Sequence, residues 1–157
     1  MKPRISQLTD KERDWVAQQC TAASLFVAAY SPDDADKPLS LACLDRAFSA
    51  WLGTQEKDVG LINLTINCVG AAFGQFLVDG LGFNWVVATD ENGDGLAVLG
   101  YPGKGDVLIY PPNFVAKRWE RGEGVFFEDS YKQISETVQN IIATAQTAKQ
   151  RPWWKFW

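Results

Sequence analysis

Residues 90–95 place oxygen ligands where a calcium-binding loop needs them. Their sequence, DENGDG, has side-chain oxygens at the first, third and fifth positions and glycine at the sixth, as at the start of an EF-hand loop. The twelfth position, however, is Tyr101 instead of the bidentate Glu that closes such a loop. Apolar, β-branched segments flank the loop, which favours a type I′ hairpin turn with positive φ angles at Asn92 and Gly93. We therefore predict no metal site and no cofactor.

The chain contains no histidine. This absence excludes Ser-His-Asp and Cys-His catalysis as well as H-E-x-x-H zinc sites. Cys20, Cys43 and Cys68 lie in apolar stretches without a C-x-x-C pair, which indicates buried, reduced thiols. Catalysis would have to use carboxylates, lysine or tyrosine, so we predict no catalytic residue and favour a protein that is not an enzyme.

Carboxylates and arginines are the remaining candidates for chemistry. The segment KRWERGEG contains Arg118 and Arg121, and Arg binds carboxylates and phosphates through two parallel hydrogen bonds. These two arginines are candidate partner contacts, although we favour the simpler interpretation of a solvated helix end with internal ion pairs. The glycines around Lys104 lack the order of a phosphate-binding loop and predict a hairpin turn. Six acidic residues near predicted turns could supply an acid/base pair: Asp79, Asp90, Asp94, Asp106, Glu120 and Glu123.

Residues 151–157, RPWWKFW, are here called the C-terminal segment and combine aromatic with basic side chains. Exposed apolar area of this density usually has a partner. Three interpretations are open: the segment folds back onto this chain's own core, docks into another protein or a second copy, or makes a weak contact with a membrane surface. The aromatic residues are our first candidates for partner binding: Trp153, Trp154, Phe156 and Trp157.

Helical periodicity predicts the elements that would position these residues. Helices are expected over residues 9–30, 39–53, 58–79, 113–122 and 129–149. Thr9 with Glu12 and Ser130 with Gln133 are predicted capping boxes for the first and last of them. In the third helix, Gly70 and Gly74 lie one turn apart and would allow another element to approach closely.

Three short apolar segments, FNWVVATD, GLAVLGY and DVLIYPP, predict strands joined by turns. Because helices and strands are segregated along the chain, we expect an α+β fold. The expected architecture is a small three-stranded antiparallel meander packed against several helices. Residues 1–150 would form this single domain, followed by the C-terminal segment.

The overall charge and the N-terminus exclude several protein classes. The net charge is −4, the sequence pI is about 4.8, and no folded segment carries a basic patch, so we expect no nucleic-acid partner. The first residues lack the apolar core of a signal peptide. The sequence contains no run of eighteen apolar residues, so we predict no transmembrane helix. We therefore expect a cytoplasmic protein.

The middle of the chain resembles a bacterial family known as domain of unknown function 3806. The stretches that carry this resemblance are GAAFGQFLV, WVVATDENGDGLAVLGYPG and YPPNFVAKRWERGEG, over roughly residues 65–145. Its features are Gly70, Phe73, Gly74, Trp85, Asp90, Val115, Lys117, Arg118, Glu120, Gly122 and Glu123. The resemblance implies a bacterial cytoplasmic protein and supplies no activity.

We predict a non-catalytic protein–protein interaction module, of the accessory or immunity type only by analogy, with an unknown protein partner or self-association. One alternative is a small-molecule-binding protein, or an enzyme that uses carboxylates and Arg118 in a cleft. Another is a peripheral membrane adaptor that uses the C-terminal segment. A closed pocket with convergent charges would favour the enzyme, and a groove with exposed aromatic residues would favour the interaction module.

Overall fold

The structure, a computed structural model, describes residues 2–150, with side chains through residue 145. Its helices are α1 (Asp10–Tyr30), α2 (Leu41–Leu52), α3 (Val59–Leu81), α4 (Pro111–Glu120) and α5 (Phe127–Gln150). Its strands are β1 (Arg4–Ser6), β2 (Asn84–Asp90), β3 (Gly93–Gly100) and β4 (Val107–Ile109). A short 3₁₀ turn, Pro32–Asp34, follows α1.

The α+β class and the antiparallel meander are confirmed, but the predicted count of three strands is wrong. The described residues form a four-stranded sheet in the order β1-β2-β3-β4. The additional strand, β1, pairs its Ile5 with Ala88 of β2. The residues of β1, Arg-Ile-Ser, contain a single apolar side chain, so no apolar segment indicates this strand, in contrast to the equally short β4.

Helix ends follow local chemistry at α1 and α2. The Thr9–Glu12 capping box is confirmed, with the Glu12 amide donating to Thr9 Oγ1 at 3.2 Å and the Thr9 amide donating to Glu12 Oε1 at 2.8 Å. Gly53, the last residue of the predicted range 39–53, is the C-cap of α2. The expected capping box at Ser130 is wrong, because α5 begins at Phe127 and Ser130 lies buried inside the helix.

Helix α3 forms the centre of the main hydrophobic core and packs against both α1 and α4. The close approach predicted at its two glycines is confirmed. A Cβ on Gly70 would lie 2.8 Å from Pro112 Cα, and one on Gly74 would lie 2.5 Å from Trp85 Cη2. These glycines therefore set the spacing between α3, the start of α4 and the sheet.

Helix α3 also meets the length and hydropathy criteria for a membrane span, which the sequence was not expected to contain. Its mean hydropathy is 1.6 over an 18-residue window, and 56% of that window is buried inside the fold. A helix at the centre of a protein core meets the same criteria, because it too must be apolar on several sides.

The two faces of the sheet have different surroundings. Trp85 and Val87 of β2 pack toward α1, together with Leu8 and Val16. The opposite face, here called the outer sheet face, carries a cluster built from strand residues and Tyr110, the residue that follows β4. This cluster consists of Val86, Ala88, Ala97, Leu99, Leu108 and Tyr110. By register, Ile5 of β1 lies on the same face, and its side chain is exposed.

Candidate functional site

A groove of about 1110 Å³ lies at the open end of β2. Strand β1 pairs only with residues 87–89 of β2, and β3 pairs with the whole of β2 on the other side. Among the described residues, Asn84, Trp85 and Val86 therefore have no strand partner on the β1 side. These three residues line the groove, which extends over the outer sheet face to Leu99 and Leu108.

The walls of the groove come from both faces of the sheet. On the helix side, the walls include Leu8, Val16 and Trp85. On the outer sheet face, they include Ile5 and Leu99. Because successive side chains of a strand point to opposite faces, an extended chain in this groove would find apolar surface on both of its sides.

Trp85 is held in a fixed orientation at the helix-side wall. Its indole Nε1 donates a hydrogen bond to Gln75 Oε1 at 3.0 Å, and Gln75 Nε2 donates to Asp79 Oδ1 at 2.9 Å. Its ring rests on Gly74, where any larger residue would collide with it. The groove therefore presents a rigid aromatic surface whose polar atom is already satisfied.

The charged groups of the groove lie at its rim and pair with neighbours. Lys2 Nζ lies 3.5 Å from Asp106 Oδ2, and Arg13 Nη1 lies 3.1 Å from Asp10 Oδ1. Asp106 Oδ1 also accepts a hydrogen bond from the Gly103 amide at 2.7 Å. This backbone donor, followed by Lys2, lowers the pKa of the Asp106 carboxyl. Asp106 therefore stays ionised, and these pairs do not form a convergent acid/base site.

The six acidic candidates are distributed over several places in the fold. Asp90 and Asp94 stabilise the β2–β3 hairpin, where Asp90 accepts from the Asn92 amide and Asp94 accepts from the Thr89 hydroxyl. Asp79 ends the Trp85–Gln75 chain, and Asp106 belongs to the β3–β4 loop. Across residues 2–150, no group of three or more Cys, Asp or Glu residues has an arrangement that could hold a metal ion.

The hairpin at residues 90–95 is confirmed, but its predicted turn chemistry is wrong. Asp90 pairs with Gly93, so the two-residue loop consists of Glu91 and Asn92. Of the residues at this turn, only Gly93 has a positive φ, at 112°. A type I′ turn would need positive φ at both central residues. The glycine therefore follows the turn and does not form its centre.

Two carboxylates that sequence reasoning did not select are the most deeply buried. Asp34 accepts from Arg46 Nε at 2.8 Å and from Arg46 Nη2 at 2.9 Å. Asp45 accepts from the backbone amides of Phe126 and Phe127, both at 2.7 Å, and from that of Glu128 at 3.1 Å. Each of these carboxylates is consumed by structural hydrogen bonds, which leaves neither as a free catalytic group.

The predicted buried thiols are found at Cys43 and Cys68, whereas Cys20 is half-buried. Burial raises the pKa of the Cys68 thiol to about 11. Burial also raises the pKa of the Cys20 thiol, with Asp79 adding to the effect. Because only a thiolate is a good nucleophile, neither of these two residues is prepared for covalent chemistry.

The partner-contact candidates fall inside and outside the described residues. Arg118 lies over the Phe114 ring, with its guanidinium carbon 3.4 Å from the ring centroid, and donates to the Phe114 carbonyl at 3.0 Å. Burial is the main cause of its lowered pKa. Arg121 is exposed at the end of α4. Trp153, Trp154, Phe156 and Trp157 lie outside the described residues.

The groove itself was not predicted. In the sequence, Trp85 belongs to the stretches that resemble the family, and no pattern indicates Gln75 or Arg13. Their contribution depends on α1, α3 and β2 meeting at the end of β1, which is a tertiary arrangement without a local sequence signal.

Comparison with known proteins gives a family and a fold. The family model described as domain of unknown function (DUF3806) matches residues 43–131, more than half of the chain. The match begins earlier and ends sooner than the expected range of 65–145, so it includes most of α2. None of the curated proteins matches this chain.

One solved structure is similar across most of the chain. It is a crystal structure from Bacteroides thetaiotaomicron VPI-5482, with a TM-score of 0.66 and 12% sequence identity. The alignment covers 87% of this chain and 48% of that one. This chain therefore spans about half the length of the solved protein, and the likeness shows the fold alone.

Proposed function

Starting from the fact that this chain belongs to the domain of unknown function family DUF3806, we propose that it is a non-catalytic protein–protein interaction module. The groove beside β2 would hold an extended apolar segment of a partner protein. One observation carries this proposal: residues 84–86 of β2 have no strand partner on the β1 side, and apolar walls lie next to them on both faces of the sheet.

The backbone of β2 supplies the first half of such a site. A peptide that adds to a free strand edge gains main-chain hydrogen bonds, and pockets for its alternate side chains provide selectivity. Residues 84–86 offer the edge, and the peptide would continue the line of β1. Trp85 on one side and Val86 on the other would contact successive side chains of the bound segment.

The charges of the described residues favour binding over catalysis. The buried carboxylates Asp34 and Asp45 are satisfied by partners within the fold. The groove's charged residues pair at its rim. The groove is therefore suited to hold an apolar chain and offers no convergent pair for proton transfer.

The predicted contacts of the C-terminal segment remain part of this proposal. Trp153, Trp154, Phe156 and Trp157 would be additional contacts for a complete partner protein outside the groove, as aromatic side chains often are. Arg121 is exposed on the same chain and is available for a carboxylate. Arg118 would contribute through the edge of the guanidinium that does not face Phe114.

The accessory or immunity type is an analogy, because small acidic domains of many kinds bind other proteins. The cytoplasmic location and the bacterial source likewise remain proposals. A peripheral membrane adaptor remains the alternative for the C-terminal segment. It predicts co-sedimentation with anionic liposomes that is lost when residues 151–157 are removed.

A second candidate function is the binding of an apolar small molecule in the same groove. The volume of about 1110 Å³ slightly exceeds the roughly 300–1,000 Å³ of typical ligand pockets. A small ligand would raise the melting temperature without any need for main-chain pairing. A thermal-shift screen with fatty acids and aromatic acids would identify this case.

Peptide display on the immobilised full chain tests the proposed function. Ala17 is exposed and lines the groove, whereas Ala29 is exposed on the same helix and does not line it. We expect selected peptides to alternate apolar residues and to lose about tenfold in affinity with Ala17→Arg. Ala29→Arg, the matched control, should bind them as the unmodified chain does.

Two results would overturn this proposal. Selected peptides that bind Ala17→Arg and the unmodified chain equally well would place the binding surface elsewhere. A failure to select any peptide that competes at the groove would favour the small-molecule candidate, which the thermal-shift screen examines.

A further inference from the structure

We infer that the C-terminal segment, residues 151–157, occupies the groove of its own chain when no partner is bound, so that a partner must displace it. This inference rests on the proposed function, because it requires the groove to be a binding site for extended apolar chain. It adds a regulatory element that the proposed function alone does not contain.

Helix α5 passes directly beside the rim of the groove. A Cβ placed on Gly105 would lie 2.9 Å from Ile141 Cδ1. Gly103 and Asp106, in the same β3–β4 loop, line the groove. The last helix therefore touches the loop that bounds the proposed site.

The C-terminal segment is long enough to return to the groove from the end of α5. Gln150, the last residue of α5, lies nine positions after Ile141, which is about 13.5 Å of helix at 1.5 Å per residue. Seven extended residues span roughly 23 Å. After these roughly 13.5 Å are retraced, about 9.5 Å of extended chain remain, which is enough for about three residues. The end of the segment, from Lys155 to Trp157, can therefore enter the groove beside Gly103.

The side chains of the segment match the walls of the groove. In extended conformation, Phe156 would point to one side of the groove and Trp157 to the other. The groove offers apolar surface on both sides, with Trp85 and Val16 on one and Ile5 and Leu99 on the other. Aromatic rings of the segment would stack against Trp85, and Arg13 lies at the rim where a cation can cover a ring.

The charges of the segment are also complementary to the rest of the chain. Arg151 and Lys155 are positive, whereas the complete chain has a net charge of −4, so the remainder is more negative still. Asp106, at the rim, is held ionised by the Gly103 amide and Lys2. Lys155 lies between the aromatic pairs, where it could meet this carboxylate as the segment enters.

A C-terminal segment bound in the groove of its own chain would lower the apparent affinity of a partner for that groove. A tethered segment has a high effective concentration at its site. A competing partner then binds with an affinity reduced by the fraction of molecules whose groove is free. Replacing the four aromatic residues by Ser in the full chain should raise the affinity for a selected peptide by about tenfold.

Limited trypsin digestion of the full chain tests whether the segment is docked. The Lys155–Phe156 bond lies within the segment, and docked chain resists cleavage. We expect the Ala17→Arg chain to be cut there about tenfold faster than the unmodified chain, because the new side chain fills the groove. Ala29→Arg should be cut at the unmodified rate, and mass spectrometry of the released dipeptide provides the measurement.

Three outcomes would overturn the inference. One is equal cleavage of the unmodified and Ala17→Arg chains. Another is protection that disappears on dilution together with a mass twice the 17.5 kDa of one chain, since the segment would then occupy the groove of a second copy. The third is unchanged peptide affinity in the four-Ser chain, which would remove the regulatory role while leaving the groove as a peptide site.

Discussion

At the scale of single residues, buried carboxylates join segments that are distant in the chain. Asp34 is one of them, and it receives a two-pronged hydrogen bond from Arg46 of α2 and a hydrogen bond from the Ser31 hydroxyl. These partners, with Arg46 contributing most, lower the pKa of the Asp34 carboxyl well below its usual range. The Asp34–Arg46 ion pair therefore connects the turn after α1 with α2.

Replacing Asp34 by Asn should lower stability at neutral pH and remove a pH dependence. Because its folded-state pKa is lowered, the carboxylate stabilises the fold fully above its unfolded pKa of about 3.9 and loses this contribution as the pH falls below that value. Urea midpoints should therefore differ between the two chains at pH 7, and the difference should begin to shrink below about pH 4 and continue to shrink as the pH approaches the lowered folded-state pKa. Asp33→Asn, at an exposed neighbouring position, should leave the midpoint unchanged, and a constant difference at all pH values would contradict the assignment.

At the scale of elements, the helices were predicted from the sequence because their signals are local. Thr9 with Glu12 defines the start of α1, and apolar spacing defines α2 and α3. The start of α5 was wrongly predicted at Ser130. The amides at the true start of the helix donate to Asp45, which lies 81 to 83 residues away in the chain, so no local pattern indicates it. The groove was missed for the same reason, since Gln75 and Trp85 meet only after α3 has packed on β2.

Replacing Gly70 by Ala should destabilise the protein although Ala is the better helix former. The new Cβ would lie 2.8 Å from Pro112 Cα, so α4 would have to move, at a cost of about 1–3 kcal/mol. That cost outweighs the roughly 1 kcal/mol that Ala gains in a free helix. Gly53→Ala, where the nearest atom is 3.4 Å away and φ is −64°, should be neutral by urea unfolding. A stabilised Gly70→Ala chain would show that α3 and α4 are not packed as described.

At the scale of the whole molecule, β1 protects one edge of the sheet. It covers residues 87–89 of β2, and the groove begins where this cover ends. Free strand edges promote association between copies. The three-stranded sheet expected from the sequence lacked this cover, so neither the protected edge nor the groove could be anticipated.

Deleting residues 1–6 should make the protein self-associate. The deletion would expose the whole β1-facing edge of β2, and sedimentation should show a mass that rises with protein concentration. Lys2→Ala, which removes only an exposed ion pair with Asp106 at 3.5 Å, should sediment as the unmodified chain does, because such pairs contribute little. A deletion chain whose mass does not depend on concentration would show that β2 has another cover.

The hydrogen bonds that Asp45 accepts at the start of α5 also affect the folding kinetics. These hydrogen bonds close a loop of more than eighty residues. Because closing a long loop costs more entropy than forming a local helix or hairpin, we expect them to form late in folding. Interactions absent from the folding transition state act mainly on the unfolding rate. Asp45 would then serve as a latch on the finished fold: it slows opening and does little to speed assembly.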